Sequence, residues 1–566
     1  MNAQVRPAIH AGQAVVEALR EEGVEKVYCV PGSHLLQFYD AFRQESSIRL
    51  ITCKQEPNAS LMADAYGRLT GRPGVCLLTA GPGAANSLAG VVQAHGAASP
   101  MVHITGAVPL DADREAFHGA DDPEFVVKMY QNVTKWSVRI QRMEDIPSTM
   151  AKAFCIARSG RPGPVHVEIP RLSDSSPYLL QPEPVVLEPY RPEPVELSSP
   201  GPADVDRITT KLLEAKNPVI CAGKGVIRKG AMRELAELSR KLSAPVVYPQ
   251  DTIGVIPGDH PFAVGHFFRR RQSPLFEHVM KRADFLLSVG LRAGAAEISQ
   301  LRGYAPEDHI LIGFDSAEDD YYSGENQVVA DPKLFLTALL ERLEGKSRPA
   351  DEDLKWDIAR HKANLKEHLH SQIEEYGAAK PIHPGFLMET LVSSLTRDAI
   401  VVSDVGNCQI WGRYFIPINT RDSYMQSGIW NAMSFSLPTA IVAKMEFPER
   451  QVVGIAGDGA FLMTIGDFIT ACELKANIVM VILNDGAFGQ MHRQQMDLYG
   501  KSYGCDFESP NFAEMARACG ALGIRIEEPG EVEGALRAAL AADRPAIVDV
   551  VTGDYSYPSM EGLLGR

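Results

Sequence analysis

No C-x-x-C pair occurs in the 566 residues, and the nine cysteines are an odd number, so the chain encodes neither a disulfide framework nor a cysteine-built zinc site. A reducing, cytoplasmic setting is expected. No uninterrupted apolar run is long enough to span a bilayer, and the opening MNAQVRPAIHAGQAVVEALREEG lacks an apolar signal core, so neither export nor membrane anchoring is expected. Positive charge is also scarce. The formal net charge of −15 excludes nucleic acid as an expected partner, because nothing offsets phosphate repulsion. The only compact basic run, Arg269-Arg270-Arg271, reads as a solvated face, with a grip on ligand phosphates as the alternative.

What is present is ordinary for a soluble globular protein, 45% hydrophobic and 22% charged, in a chain too long for one core. Helical patterns alternate with short apolar runs, which predicts an α/β fold with mainly parallel sheets in three doubly wound domains. The expected division is residues 1–175, a proline-rich extended tether over 176–200, a middle domain over 201–345, a charged helical linker over 346–380, and a last domain over 381–566.

The last domain contains the most informative stretch, VVGIAGDGAFLMTIGDFITACELKANIVMVILNDG. It reads as strand, helix, strand, with Thr464 and Asp467 as a capping box before the helix. A right-handed crossover makes the two strands parallel, so Gly457-Asp458-Gly459 and Asn484-Asp485-Gly486 emerge at one carboxyl edge, where open α/β sheets bind ligands. Asp458 supplies a carboxylate at an exposed strand end, Asn484 an amide oxygen and the Gly486 peptide a carbonyl, all hard oxygen donors suited to Mg2+ beside phosphate. Gly457 and Gly459 leave room for phosphate, and the helix start at Ala460 offers N–H groups.

The GDG…N pattern resembles the motif of thiamine-diphosphate enzymes, and three α/β domains with this motif in the last resemble the acetohydroxyacid-synthase-like family. That resemblance implies thiamine diphosphate and Mg2+ as cofactors, a first domain that binds the aminopyrimidine, a last domain that binds the diphosphate, and a homodimer or homotetramer with sites shared between subunits. In TCKQEPNASLMADAYGR, Glu56 stands where the family has its cofactor-activating carboxylate. Held against the pyrimidine ring nitrogen, it favours the imino tautomer that deprotonates thiazolium C2. The plainer alternative is a surface carboxylate at a helix start.

Other segments carry the resemblance further. SDVGNCQIWGRYF is similar to the family's diphosphate-contacting loop, which makes Asn407, Cys408 and Gln409 candidate contacts, Cys408 through its backbone N–H. In MQSGIWNAMSFSLP, Met433 stands where a large apolar residue supports the bent cofactor, with Asn431 beside it, while Ile429, Asn431, Ser434 and Ser436 replace family glycines. His34 follows Pro31-Gly32-Ser33 at a strand end, as in benzaldehyde-lyase-like relatives, and His118 stands where acetolactate synthases carry Gln. Each histidine either touches substrate or caps a loop. The turn Gly223-Lys224-Gly225 in the middle domain leaves FAD or a nucleotide as a weaker possibility beside plain helix–strand packing.

The leading expectation is decarboxylation of a 2-oxo acid with acyl transfer to an acceptor. A lyase acting on a 2-hydroxyacyl-CoA or 2-hydroxyketone is the alternative, because TGAV replaces the usual TGQV and Gln494 the pocket-shaping Trp. A cofactor-binding regulatory subunit without activity is the reading of another class, and the presence of both Glu56 and the metal set counts against it.

Overall fold

The computed structural model describes residues 9–112, 118–171, 186–195, 197–267, 274–291, 301, 303–314, 326–417 and 423–559. Arg269–Arg271 lie outside them. Three six-stranded parallel sheets organise the chain. The first contains β1 (Lys26–Cys29), β2 (Arg49–Thr52), β3 (Gly74–Leu78), β4 (Met101–Ala107), β5 (Trp136–Arg139) and β6 (Pro164–Pro170), in the order β2-β1-β3-β4-β6-β5. The second contains β7 (Pro218–Ala222), β8 (Val246–Pro249), β9 (Ala263–Phe267), β10 (Phe285–Val289), β11 (His309–Gly313) and β12 (Gln327–Val329), in the order β12-β11-β10-β7-β8-β9. The third contains β13 (Ile400–Ser403), β14 (Tyr424–Gln426), β15 (Val452–Gly457), β16 (Val479–Asn484), β17 (Leu522–Ile526) and β18 (Ala546–Val551), in the order β14-β13-β15-β16-β18-β17.

The first and third sheets therefore share one strand order. In both, the second strand lies to one side of the first and the third to the other. This creates a topological switch point between β1 and β3, and again between β13 and β15, where such sheets bind ligands outside their carboxyl ends. The central strands β3, β4, β6 and β16 are buried along their whole length, as helices on both faces of a parallel sheet require. Two compact units result. One gathers the first sheet with residues 441–443 and 464–470, and the other holds the second and third sheets.

The structure bears on three further expectations. The described part of the tether, 186–195 and 197–200, has neither helix nor strand, but it is not loose: Leu187 and Tyr190 are buried in the first core, and the Tyr190 hydroxyl donates to Glu22 at 2.7 Å. In the middle domain, Gly223 and Gly225 donate their N–H groups to the carbonyls of Val289 and Gly290. A Cβ at either would overlap the Gly290–Leu291 backbone, which agrees with the helix–strand packing expected of this glycine pair. The capping box at Thr464 and Asp467 is absent. Thr464 makes no side-chain cap, residues 465–467 form a 3-10 turn, and the Asp467 carboxylate is engaged elsewhere.

At Gly74, the first residue of β3, a Cβ would overlap the carbonyl of Ala63 in the helix Glu56–Thr70. Because a helix backbone cannot yield as a side chain does, Gly74→Ala should destabilise the protein by about 1–3 kcal/mol. Thermal melting of the variant checks this, and an unchanged melting temperature would mean that the helix shifts without cost.

Candidate functional site

The metal-type loops leave the third sheet at its switch point. Asp458 opens the helix Asp458–Leu462 directly after β15, and it is fully buried rather than exposed. Its Oδ1 accepts the Gly459 N–H at 2.7 Å, and its Oδ2 accepts the Gly486 N–H at 2.8 Å. These bonds join the loops after β15 and β16 and let a carboxylate persist in a buried place, although burial still raises its pKa. Asp485 is pushed up to about 7 by burial and then by the Asp458 carboxylate. Two acidic groups thus crowd one place. A Cβ at Gly489 would overlap the Asp485 carboxylate and meet the Asn407 amide, so both side chains converge over this glycine.

Asn484 ends β16 with a fixed orientation. Its Nδ2 donates to Asp549 Oδ1 at 2.9 Å and to the carbonyl of Pro510 at 3.3 Å. A carboxylate accepts and cannot donate, so the amide nitrogen must face Asp549 and the amide oxygen is left for a cation. Asp549 is itself buried in β18 and accepts from the Phe512 N–H at 3.0 Å and from Arg525 at 2.8 Å.

The second loop at this switch point follows β13. The buried Asp404 accepts the N–H groups of Val405, Ser434 and Ser436, each at 2.9 Å, and the Ser436 hydroxyl at 2.8 Å. One carboxylate thereby ties the Met433 segment to the end of β13. Gln409 reaches Asn431 Oδ1 at 3.5 Å, and Asn407 accepts a hydrogen bond from the Tyr557 hydroxyl. The Cys408 thiol is buried and turned to the carbonyl of Asp404 at 3.3 Å, which leaves only its backbone for ligand contact. Met433 is half-buried, outside the apolar core, while Asn431 and Ser434 have φ of 56° and 80°.

In the unit built on the first sheet, Glu56 is the first residue of the helix Glu56–Thr70 and is half-buried. Asn86 Nδ2 donates to its Oε2 at 3.3 Å. Asn86 lies on the helix Pro82–Gly96, whose next residue, Ser87, is anchored to the buried His103 and Tyr130 at 3.1 and 2.9 Å. His34 follows β1 and is buried, and its ring lies 5.2 Å from that of His118 in an edge-to-face arrangement. His118 has φ of 65°, and its carbonyl abuts Gly81 after β3. Both histidines therefore stand at the switch point of the first sheet. Burial, then Arg171 and His118, lowers His34 to about 4, so its ring is neutral at pH 7.

Comparison with known proteins follows this geometry. Residues 9–127 match the thiamine pyrophosphate enzyme N-terminal TPP binding domain, 205–339 its central domain, and 404–550 its C-terminal TPP binding domain. A probable acetolactate synthase large subunit of Methanococcus aeolicus is 30% identical, with 98% of this chain and 93% of that protein aligned. The acetolactate synthase isozyme 3 large subunit of Escherichia coli is 31% identical over 97% and 96%. A putative thiamine pyrophosphate-containing protein, YdaP, of Bacillus subtilis is 30% identical over 96% and 92%. The chain belongs to the acetolactate-synthase-like thiamine pyrophosphate enzymes.

The enzyme's cofactor is accordingly thiamine diphosphate, and the residues present fit its metal diphosphate end. The groups on offer are the Asp458 carboxylate, the Asn484 amide oxygen and the Gly486 carbonyl, which accepts the Phe507 N–H at 2.9 Å and keeps a second lone pair, with the acidic Asp485 beside them. Asn86, Asp404, Asp485, Asp549 and Tyr557 are neighbours of the candidate residues that sequence reasoning did not propose for the site. A lone Asp inside the apolar run AIVDVV was the available signal for Asp549.

Asp549→Ala should lower magnesium-dependent cofactor affinity about ten- to a hundredfold by freeing the Asn484 amide to turn. Asp458→Ala should abolish that affinity and, by orphaning two N–H groups, also cost about 1–3 kcal/mol of stability. Calorimetric titration with and without Mg2+ decides both, and wild-type affinity in Asp458→Ala would remove it from the metal set.

Proposed function

We propose that the enzyme decarboxylates a 2-oxo acid and transfers the acyl group to an acceptor, using thiamine diphosphate held through Mg2+ by Asp458, Asn484 Oδ1 and the Gly486 carbonyl. When bound, the cofactor supplies a nucleophilic carbon and an electron sink. Gln409, the N–H groups of Asn407, Cys408 and Ala460, and the space beside Gly457 and Gly459 would receive the diphosphate, while Met433 and Asn431 line its approach. Glu56 would hold a proton on the pyrimidine ring nitrogen through the carboxylate that Asn86 steadies. The neutral His34, with His118 beside it, would move a proton to and from the substrate oxygen near pH 7.

The observation that carries this reading is the orientation of Asn484, whose oxygen is kept available by Asp549 in a place already crowded with carboxylates. Relatives named acetolactate synthases support the reaction class. The imidazole pair favours a second reading, cleavage of a 2-hydroxyketone or 2-hydroxyacyl-CoA, in which the same proton transfer runs from a substrate hydroxyl. Both readings place the enzyme in a homodimer or homotetramer with shared sites and in the cytoplasm. Among the described residues no helix is long and apolar enough to cross a membrane.

A panel of 2-oxo acids and 2-hydroxyacyl-CoA esters, assayed for carbon dioxide release and for products by mass spectrometry, tests the choice. Release from 2-oxo acids is expected, and turnover of CoA esters alone would overturn it. His34→Ala and His118→Ala should each lower turnover about a hundredfold while leaving cofactor affinity near wild type. Turnover unchanged in both variants would remove the imidazoles from the reaction.

A further inference from the structure

Asp467, read from sequence as a helix cap, has a different use. It is fully buried, and all its hydrogen bonds go to residues of the first unit. Its Oδ1 accepts the Lys54 N–H and the Thr470 hydroxyl, each at 2.8 Å, and its Oδ2 accepts Asn58 Nδ2 at 2.6 Å. The Lys54 ammonium in turn donates to the Thr470 hydroxyl at 3.0 Å and to the Thr52 carbonyl at 3.1 Å. Lys54 and Asn58 stand two residues before and two residues after Glu56. A single buried carboxylate thus grips both sides of the turn from β2 into the helix that Glu56 opens.

We propose that Asp467 is a positioning residue that fixes the Glu56 carboxyl against its proton-bearing partner. Charge-assisted bonds in a water-poor place are stronger and more directional than neutral ones, so the turn has one preferred geometry. Asn58 depends on this grip, because its side chain is buried, its Oδ1 has no hydrogen-bond partner, and its Nδ2 is the group that Asp467 holds. Glu56 itself is half-buried and, among the described residues, its carboxylate takes one long bond, from Asn86, so the peptide that carries it must supply its placement. The inference rests on the reading of Glu56 as the activating carboxylate. It adds that Asp467, nine residues beyond Asp458 on the same stretch, serves Glu56 without touching the cofactor.

The test uses the full-length protein and four variants: Glu56→Gln, Asp467→Asn, Asn58→Ala and the donor–acceptor swap Asp467→Asn with Asn58→Asp. Two rates are read beside melting temperature and calorimetric cofactor affinity. One is backbone amide exchange over residues 53–58 in the cofactor-free protein, and the other is proton exchange at C2 of the bound cofactor. Asp467→Asn should speed amide exchange and slow C2 exchange about tenfold or more with cofactor affinity held. The swap should restore both rates, because the amide then donates to a carboxylate at 58 while its oxygen still accepts the Lys54 N–H. Should Asp467→Asn not fold, Asn58→Ala carries the test with the same expected slowing. Slow C2 exchange in Glu56→Gln with a wild-type rate in Asp467→Asn, or in Asn58→Ala where that stands in, overturns the positioning role and leaves Glu56 in place. A swap that folds but rescues neither rate also overturns it. A wild-type C2 rate in Glu56→Gln overturns the underlying reading and this inference with it.

Discussion

Carboxylates buried beneath loops are the constraint on which the site depends. A charged group out of water is tolerated only where donors converge on it, so each such aspartate dictates the path of the chain around it. Asp458 draws the Gly459 and Gly486 peptides to one place, Asp404 gathers three N–H groups and a hydroxyl, and Asp549 collects an amide, a peptide and a guanidinium. The loops at the carboxyl edge of the third sheet are irregular in backbone yet few in alternatives, because moving any of them would strand a buried charge. Asp467 applies the same logic in the first unit, around the turn that precedes Glu56.

The parts of this arrangement that were legible beforehand are those that depend on local chain properties. The strand, helix, strand order of the stretch that ends in Gly486 stands, with β15 and β16 at its two apolar runs, because such runs bounded by glycine and aspartate leave little choice. Candidate donors Asp458, Asn484 and Gly486 do stand at one sheet edge, since a right-handed crossover fixes which ends of two parallel strands are neighbours. Histidines 34 and 118 were read as facing one ligand crevice because each follows a strand end, and the structure sets their rings 5.2 Å apart.

What escaped the sequence reading is tertiary. Asp467 sits in a good capping-box pattern, but its carboxylate faces three donors, Lys54 and Asn58 among them, that lie far away in sequence or at the next turn, and the local motif loses to them. Asp549 stands inside an apolar strand and drew no reading, and its partners come from three separate segments. The replacement of family glycines by Asn431 and Ser434 acquires a meaning in the left-handed backbone at both positions. Glycine would adopt it freely, whereas a side chain there costs about 1 kcal/mol or more, a strain that the bonds to Asp404 and Gln409 hold in place.

The lock that Asp549 sets on Asn484 bears on which metals the proposed site would admit. Affinity for nitrogen and sulfur donors rises steeply toward copper and zinc, so a site that admitted an amide nitrogen, an imidazole or a thiolate would be vulnerable to capture by scarce but tenacious ions. Here the Cys408 thiol is turned inward to a carbonyl, and the Asn484 amide nitrogen is turned to a carboxylate. With the thiol and the amide nitrogen engaged, oxygen is the donor left to a cation, and abundance then favours the hard divalent ion over its softer competitors.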